Sequence, residues 1–217
     1  MCIRDRDSFK LGVKVYESGF RPDFLVGLWR GGSSVGIYVQ ECLQYLGVET
    51  DHISVRTSYQ GQPAYQDMID SDQEIKVHGM QYLLENLNND NRLLIVDDVF
   101  SSGSNTLAVI NQLQARLKRN MPQDTKIAAT WYKPKRNRGE QVPDFYINTT
   151  DEWLVLPYEL TGLTMEEIEA HKPGVKEILD SVLNPRPSQM GHINLPRRRL
   201  SKGQVTLFLR PASRSCS

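Results

Sequence analysis

The chain has 217 residues, of which 39% are hydrophobic and 24% are charged, proportions that are typical of a soluble globular domain. The formal net charge is zero, but residues 184–217 hold seven basic side chains and no acidic one, which leaves residues 1–183 with 19 Lys and Arg against 26 Asp and Glu, a net charge of −7. This acidity argues against a nucleic-acid-binding protein, which needs a basic surface. The longest apolar runs, such as Leu93–Val96, are too short to cross a membrane.

Cysteine usage indicates a reducing compartment. The three cysteines, Cys2, Cys42 and Cys216, lie far apart and form no Cys-x-x-Cys pair. This spacing argues against a disulfide framework and against a structural zinc site. We therefore expect a cytoplasmic protein.

Residues 184–217 differ in composition from the rest of the chain. They contain four of the eleven prolines and five serines, and their apolar residues follow no helical period. We predict one domain over residues 7–183 and a disordered or foreign basic tail over residues 184–217. The run Arg197–Arg199 fits either a polyanion-binding tail or a solvated run of charge, and the second is the more common.

Taken in chain order, helical and extended patterns alternate between these ends. Met1–Arg6 shows no pattern that joins it to the first predicted helix, in which Phe9, Val13 and Tyr16 recur at helical spacing until Gly19. Short apolar runs predict strands over Phe24–Leu28, His52–Val55, Leu93–Val96 and Ile127–Tyr132. Helical spacing predicts helices over Val35–Leu46, Tyr82–Leu87 and Val109–Leu117, and a polar aperiodic stretch covers Thr57–Asp72. A Thr164–Glu167 capping box opens a further helix, and a last helix is expected near Pro173. This alternation predicts an α/β fold with a mostly parallel central sheet flanked by helices.

The most informative segment runs from Leu93 to Thr106. A buried strand leads directly into Asp97 and Asp98, and a glycine and four hydroxyl side chains then precede a helix. Ligands of open α/β sheets bind at the carboxyl ends of the strands, and hydroxyl and backbone N–H groups at the start of a helix suit a phosphate. Two carboxylates suit ribose hydroxyls or Mg²⁺. The alternative, a structural turn that caps the helix at Asn105, accounts less well for the adjacent acids.

Other phosphate-binding loops are excluded by their glycine patterns. The sequence has no Gly-Lys-Ser/Thr, which excludes the Walker loop, and no Gly-x-Gly-x-x-Gly, which excludes the dinucleotide fingerprint.

Residues 93–106 resemble the signature of the type I phosphoribosyltransferases, in which a strand, two acids and a loop bind 5-phosphoribosyl-1-pyrophosphate (PRPP). Trp29–Gly32 is similar to the pyrophosphate loop of that family, and Ser58-Tyr59 to a pair in the mobile lid of its 6-oxopurine enzymes. Lys133-Pro134 and Trp153-Leu154 resemble the purine-binding hood of the same subgroup. The resemblance covers roughly residues 8–183, and it implies the type I phosphoribosyltransferase fold with a small hood.

The resemblance is to the hypoxanthine/xanthine-guanine phosphoribosyltransferases, and it implies transfer of phosphoribose from PRPP to N9 of a 6-oxopurine with Mg²⁺ as cofactor. Asp97 and Asp98 are then expected to hold the ribose diol, directly or through the metal. The resemblance also implies that pyrophosphate is bound by Arg30, Gly31 and Gly32, with a cis peptide at Arg30–Gly31, and that the 5′-phosphate is bound by Ser101, Ser102, Gly103, Ser104, Asn105 and Thr106. It implies that the base is bound by Lys133, Trp153 and Leu154, and that the lid contains Ser58 and Tyr59.

The sequence departs from this subgroup at Ser101. Many 6-oxopurine enzymes place there an acid that handles the purine N7 proton, and a serine hydroxyl is a poor general base at neutral pH. Ser101 therefore favours an alternative, a PRPP- or nucleotide-sensing regulatory protein with the same fold and little or no catalysis. Lys133 and Trp153 favour the enzyme, because a sensor needs no base site. A different acceptor base is also left open, because the match to the hood is loose.

The partners follow from the same resemblance. We expect the small molecules PRPP and a purine base, and further copies of the chain in a dimer or tetramer. We expect neither nucleic acid nor a membrane.

Overall fold

The computed structural model describes residues 3–59, 75–137, 141–172 and 174–183, with the backbone alone at Ile3, Arg4 and Tyr59. The predictions for residues 60–72, for Pro173 and for the tail over residues 184–217 lie outside this part of the chain. The chain divides into two compact units, the first ending at Leu154 and the second beginning at Val155. Among the described residues, no helix has the length and apolar composition that a membrane crossing requires.

Strands and helices alternate along the first unit. The strands are β1 (Phe24–Trp29), β2 (Asp51–Tyr59), β3 (Ile75–His78), β4 (Arg92–Phe100), β5 (Asp124–Tyr132) and β6 (Phe145–Thr149). The helices are α1 (Ile3–Glu17), α2 (Gly31–Tyr45), α3 (Gln81–Asn86) and α4 (Ser104–Leu117), with short 3₁₀ turns at Lys118–Asn120 and Pro134–Arg136. This alternation confirms the predicted α/β class.

The six strands form one sheet in the order β3-β2-β1-β4-β5-β6. Neighbouring strands are parallel, except that β3 runs antiparallel to β2. The chain moves outward in one direction from β1 to β2 and in the other from β4 to β5. The strand order therefore reverses between β1 and β4, and ligands of open α/β sheets bind at such a point.

The apolar run in β4 is buried because both faces of the sheet are covered. Leu94 and Val96 pack with residues of α1 and α2, whereas Leu93 and Ile95 pack with residues of α3 and α4. All four side chains are fully buried, and the burial of each is worth about 1.5–3 kcal/mol. A central strand covered on both faces has a continuous rather than an alternating apolar pattern, which is why the sequence predicts it.

Two predictions about local structure are wrong. Helix α1 begins at Ile3, so the backbone of Ile3–Arg6 belongs to the first helix. Thr57–Tyr59 are not aperiodic, because they continue β2 and pair with β3. The sequence pattern also missed β3 and β6, which are short strands at the two edges of the sheet.

The second unit contains α5 (Met165–His171) and α6 (Val175–Leu183). The predicted capping box is present, since the Thr164 side chain accepts from the Glu167 N–H and the Glu167 carboxylate accepts from the Thr164 N–H. The buried Lys172 ammonium donates to the carbonyls of Leu156 and Pro157 at 2.8 and 2.9 Å.

Candidate functional site

The predicted site residues of β1 and β4 meet at the carboxyl ends of these two neighbouring strands. A Cβ atom built on Gly31 would overlap the carboxylate of Asp98. A Cβ atom on Gly32 would overlap the Val96 carbonyl oxygen and lie 2.9 Å from the Asp97 Cα. The two glycines therefore allow the first turn of α2 to lie directly against the strand that carries the acids.

The backbone before this glycine pair contains a cis peptide bond between Trp29 and Arg30. The family resemblance implied a cis peptide one bond later, at Arg30–Gly31, and that prediction is wrong. Arg30 has helical φ and ψ values of −98° and −54° as the N-cap of α2, and Gly31 already belongs to the helix.

Asp97 and Asp98 form a coupled acidic pair. The Asp97 carboxylate accepts from the Asp98 backbone N–H at 2.9 Å, and the Asp98 side chain is only 6% exposed. Burial raises the pKa of Asp97 well above its ordinary value, and the neighbouring Asp98 charge raises it further. Without a ligand, the site therefore resists carrying two full negative charges.

A hydrogen-bonded network of side chains from β5, β6 and α1 holds the backbone of the acidic pair. The Thr130 hydroxyl is buried and donates to the Asp98 carbonyl at 2.7 Å. The Asn148 amide donates to the Thr130 carbonyl at 3.4 Å and to the Asp7 carboxylate at 3.1 Å. The sequence analysis missed these residues, because their side chains belong to three separate elements and share no motif.

The predicted phosphate loop connects β4 to α4. Gly103 is the N-cap of α4 with φ = +76°, and a Cβ there would lie 2.9 Å from the Phe100 ring. The Ser102 hydroxyl accepts from the Ser104 N–H at 3.3 Å. The residues of the loop are half-buried, except for the buried Thr106.

This loop is suited to an oxyanion. The N-cap Gly103 has no side chain to bond the start of α4, and among the described residues Ser102 accepts from the Ser104 N–H alone, whereas the first four backbone N–H groups of any helix lack intrahelical partners. Such N–H groups and the helix dipole favour a bound anion. The alternative of a structural cap at Asn105 is not what the chain forms, since Asn105 lies inside the helix.

The predicted base-binding residues lie beyond the ends of β5 and β6. The Lys133 side chain is 7% exposed, and its ammonium donates to the Glu152 carbonyl at 2.7 Å. The same ammonium lies 5.9 Å from the centre of the Trp153 ring, which is 58% exposed. Leu154 is half-buried. The structure thus brings Lys133 and Trp153 together.

Burial changes the electrostatics of Lys133. Burial lowers the pKa of this ammonium, the Arg136 charge lowers it further, and Asp151 opposes both effects. The Lys133 backbone N–H donates to the Phe100 carbonyl at 2.9 Å. This hydrogen bond joins the segment that follows β5, where Lys133 lies, to the end of β4, which precedes the predicted phosphate loop.

The two lid residues lie at the end of β2. Ser58 pairs with Lys76 in the sheet, and its hydroxyl lies 2.8 Å from Nε2 of the exposed His78. The backbone of Tyr59 pairs with Ile75. His78 escaped the sequence analysis because the antiparallel pairing of β3 with β2 was not predicted.

Asp97 and Asp98 are the residues suited to hold Mg²⁺. Within the described part of the chain, no group of three or more His, Cys, Asp or Glu side chains forms a metal cage. Mg²⁺ is usually held by one or two carboxylates together with substrate phosphates rather than by an all-protein cage. The donor set of this acidic pair therefore fits Mg²⁺.

Comparisons with known proteins give matches at the level of structure. A scan against protein-family models and a search of curated proteins each gave no match. A purine phosphoribosyltransferase from Pyrococcus horikoshii is similar, with a TM-score of 0.53 and 25% identity over 74% of this chain and 91% of that one. A hypothetical protein from Neisseria gonorrhoeae with bound ppGpp has a TM-score of 0.56 and 19% identity over 73% of this chain and 86% of that one. A hypoxanthine phosphoribosyltransferase from Trypanosoma cruzi, in complex with the product IMP, has a TM-score of 0.53 and 12% identity over 74% of this chain and 80% of that one. These similarities confirm the fold that the sequence predicts.

Proposed function

We propose that this chain, which has the type I phosphoribosyltransferase fold, transfers the 5-phosphoribosyl group of PRPP to N9 of a 6-oxopurine and releases pyrophosphate. The observation that carries the proposal is the approach of Gly31 and Gly32 to Asp97 and Asp98 where the strand order reverses. A glycine loop for pyrophosphate and an acidic pair for ribose are then side by side.

The reaction needs charge of both signs at neighbouring positions. The bond from C1 of the ribose to the pyrophosphate oxygen breaks, and its electron pair leaves with pyrophosphate. The purine N9 forms the new bond to C1, and the imidazole-ring proton of the purine passes to water or to the leaving pyrophosphate. The ribose becomes positive in the transition state while the leaving group becomes more negative. Fixed groups aimed at such developing charge often make the largest contribution to catalysis.

Asp97 and Asp98 would face the ribose, where their negative charge offsets the developing positive charge. These two carboxylates would also hold Mg²⁺, which when bound helps to neutralise the pyrophosphate. The backbone of Arg30, Gly31 and Gly32 would bind the leaving group. The loop over Ser101–Thr106 would hold the 5′-phosphate at the start of α4.

Lys133 and Trp153 would bind the purine. An ammonium has three donors and no acceptor, so it bonds the 6-oxo group of hypoxanthine, guanine or xanthine but meets the 6-amino group of adenine donor to donor. One donor of Lys133 is used by the Glu152 carbonyl, and the others remain for the base. Stacking on Trp153 is similar for all purines and would add affinity without selectivity.

The experiment that tests the proposal is incubation of the protein with PRPP, Mg²⁺ and one of hypoxanthine, guanine, xanthine or adenine, with release of pyrophosphate as the readout. We expect release with a 6-oxopurine and much less with adenine. Asp98→Asn is the control, and loss of its charge is expected to lower turnover about 10²–10³-fold. Turnover of this variant close to that of the wild type would refute the assignment.

A regulatory protein that senses PRPP or a nucleotide is the second candidate, and Ser101 is the observation that favours it. The hydroxyl of Ser101 can hydrogen-bond to a ligand but accepts a proton poorly at neutral pH. A sensor would bind PRPP in calorimetry and release no pyrophosphate with any of the four bases.

A further inference from the structure

A histidine that the proposed mechanism does not use lies inside the first unit, close to the glycine loop. His52 is the second residue of β2 and pairs with Leu25 of β1. Its Nε2 atom is buried and has no hydrogen-bond partner among the described residues. A buried nitrogen without a partner is costly, so its surroundings require an explanation.

Gln40 of α2 determines which nitrogen of His52 carries the proton. The Gln40 amide nitrogen donates to the Thr50 carbonyl at 2.9 Å, which turns the amide oxygen toward His52 Nδ1 at 3.3 Å. Because an amide oxygen only accepts hydrogen bonds, Nδ1 donates. The neutral ring therefore has its lone pair on Nε2.

This lone pair faces the contact between α2 and β1 at Gly36 and Gly27. A Cβ on Gly36 would lie 2.8 Å from Nε2, and a Cβ on Gly27 would lie 3.1 Å from it. The same Cβ on Gly27 would lie 2.8 Å from the Ser33 Cα and 3.0 Å from the Gly32 carbonyl oxygen. The imidazole Nε2 and the Gly32 carbonyl oxygen therefore border the same space, the one that Gly27 leaves by having no side chain.

We propose that His52 is a positioning residue for the Arg30–Gly32 loop, an inference that rests on the phosphoribosyl transfer proposed above. The neutral ring occupies the space that Gly27 and Gly36 leave. Gly32 lies against the Val96 carbonyl of β4, and its own carbonyl and His52 Nε2 border the space that Gly27 leaves, so a displaced ring would press on the first turn of α2. A shift of about 1 Å in a positioned group can cost about 10²-fold in rate.

The same arrangement makes the loop sensitive to acid. The residues that face the ring from α2 and β1, namely Gln40, Gly36, Gly27 and Leu25, are neutral. The charged neighbour is Asp51 on β2, whose carboxylate accepts from the His52 backbone N–H and from the Tyr82 hydroxyl.

Protonation would therefore place a charge and a new N–H donor on an atom that has no hydrogen-bond partner among the described residues. Burial lowers the pKa of His52 and outweighs the opposing effect of Asp51. Acid therefore protonates this ring less readily than an exposed histidine, whose pKa is about 6.5, and we expect protonation to displace the ring from this space. We expect the affinity of the loop for pyrophosphate to fall at the same time.

The test is calorimetric binding of inorganic pyrophosphate in the presence of Mg²⁺ between pH 7.5 and 5.5, at a temperature at which circular dichroism shows each variant to be folded. His52→Asn keeps a donor for Gln40 but does not titrate. His171→Asn removes an exposed histidine and is the matched control. Pyrophosphate itself titrates in this range, so the result is the difference between variants.

We expect the affinity of the wild type and of His171→Asn to fall about tenfold further with acid than that of His52→Asn. Parallel behaviour of all three proteins, or no pyrophosphate binding by the wild type, would overturn the inference. A purely structural His52 would lower the melting temperature in acid but leave these three binding curves parallel.

A second variant keeps the inference testable if His52→Asn does not fold. Gly36→Ala places a methyl group against Nε2, and we expect it to weaken pyrophosphate binding about tenfold at pH 7.5. Adding His52→Asn to Gly36→Ala should restore part of this loss, because the smaller side chain makes room for the methyl group. Wild-type affinity of Gly36→Ala, or no recovery in the double variant, would contradict a role for the ring.

The transferase assay separates failure of this inference from failure of the proposed function. A protein that binds pyrophosphate with the predicted dependence on His52 but releases none from PRPP contradicts the proposed function alone. A protein that turns over but whose pyrophosphate affinity does not depend on His52 contradicts this inference alone.

Discussion

Substitution of alanine at Gly31 should reduce turnover with little effect on folding. The new Cβ would occupy the position of the Asp98 carboxylate. That carboxylate is the end of a side chain with two rotatable bonds, so it can turn away while the backbone stays in place. The buried acid would lose its position, at a cost of about 1 kcal/mol from off-rotamer strain. This corresponds to a fall of about 2–4 °C in melting temperature for a chain of this size.

The catalytic loss should be much larger than the loss of stability. Asp98 would no longer face the ribose, and losing one such electrostatic contact typically costs about 3–4 kcal/mol of barrier. Turnover should therefore fall about 10²–10³-fold. The assay is pyrophosphate release with PRPP, Mg²⁺ and hypoxanthine, together with a thermal melt of the same sample.

Gly32→Ala is the matched control, because it adds the same methyl group one residue later. Its Cβ would meet backbone atoms, the Val96 carbonyl oxygen and the Asp97 Cα. Backbone cannot rotate away, so α2 and β4 must separate. Overpacking of this kind costs about 1–3 kcal/mol, or about 3–10 °C in melting temperature. If Gly31→Ala melts as low as Gly32→Ala, or keeps turnover within a few-fold of the wild type, this reasoning is refuted.

Four further predictions test other parts of the chain. Asp97→Asn should raise the melting temperature of the ligand-free protein at pH 7.5, because burial and the Asp98 charge raise the pKa of Asp97 well above its ordinary value; a group whose pKa is raised in the folded state destabilises the fold when it ionises, so melts should show the wild type losing stability relative to the variant as the pH rises above about 4. Lys133→Met should narrow the ratio of turnover with hypoxanthine to turnover with adenine, whereas Trp153→Ala should raise KM for both bases alike; an unchanged ratio contradicts the assignment of Lys133. Ser101→Asp should preserve or raise turnover if the serine replaces an acid, whereas calorimetric loss of PRPP binding would assign Ser101 to the phosphate cradle. A chain that ends at Leu183 should keep its melting temperature and activity, and a fall of many degrees would show that residues 184–217 pack on the domain.

The centre of the sheet and the strand–loop–helix segment over β4 and α4 could be predicted because their signals are local. The run Leu93–Val96 is apolar throughout because β4 is covered on both faces. Asp97 and Asp98 follow it without a gap, and the start of α4 is marked by Gly103 and its hydroxyl neighbours. A motif whose parts are contiguous in sequence can be recognised before any tertiary contact is known.

The edge strands could not be predicted, because tertiary pairing rather than composition defines them. Strand β3 has four residues and alternates Ile75 and Val77 with Lys76 and His78, a pattern too short to distinguish from a loop. Strand β6 exists because Phe145 and its neighbours pair with β5. The end of β2, Thr57–Tyr59, was not predicted either, because its residues belong to a polar stretch and are extended only through pairing with β3.

The contacts behind the site could not be predicted either, because they join residues far apart in the chain. The glycine at position 31 is visible in the sequence, but its neighbour is the carboxylate of Asp98 on another strand. Gly27 and Gly36 carry no motif, and only the structure shows that they make room for the His52 ring. Sequence alone also could not show that Glu152 supplies the carbonyl that holds the Lys133 ammonium.

The choice between an enzyme and a sensor depends on Lys133 rather than on the phosphate-binding elements, which both would need. The residue as a whole is 7% exposed, its ammonium is partly buried, and this burial lowers the pKa of the ammonium. A buried charge with only part of its hydrogen-bonding capacity used destabilises a fold, and the structure supplies one carbonyl, that of Glu152, together with the face of Trp153. A 6-oxo group would satisfy a further donor and offset part of that cost in the bound state. A sensor of PRPP gains nothing from this arrangement, and its affinity for PRPP should be the same in Lys133→Met as in the wild type. In an enzyme, Lys133→Met should lower turnover with a 6-oxopurine and leave the affinity for PRPP unchanged.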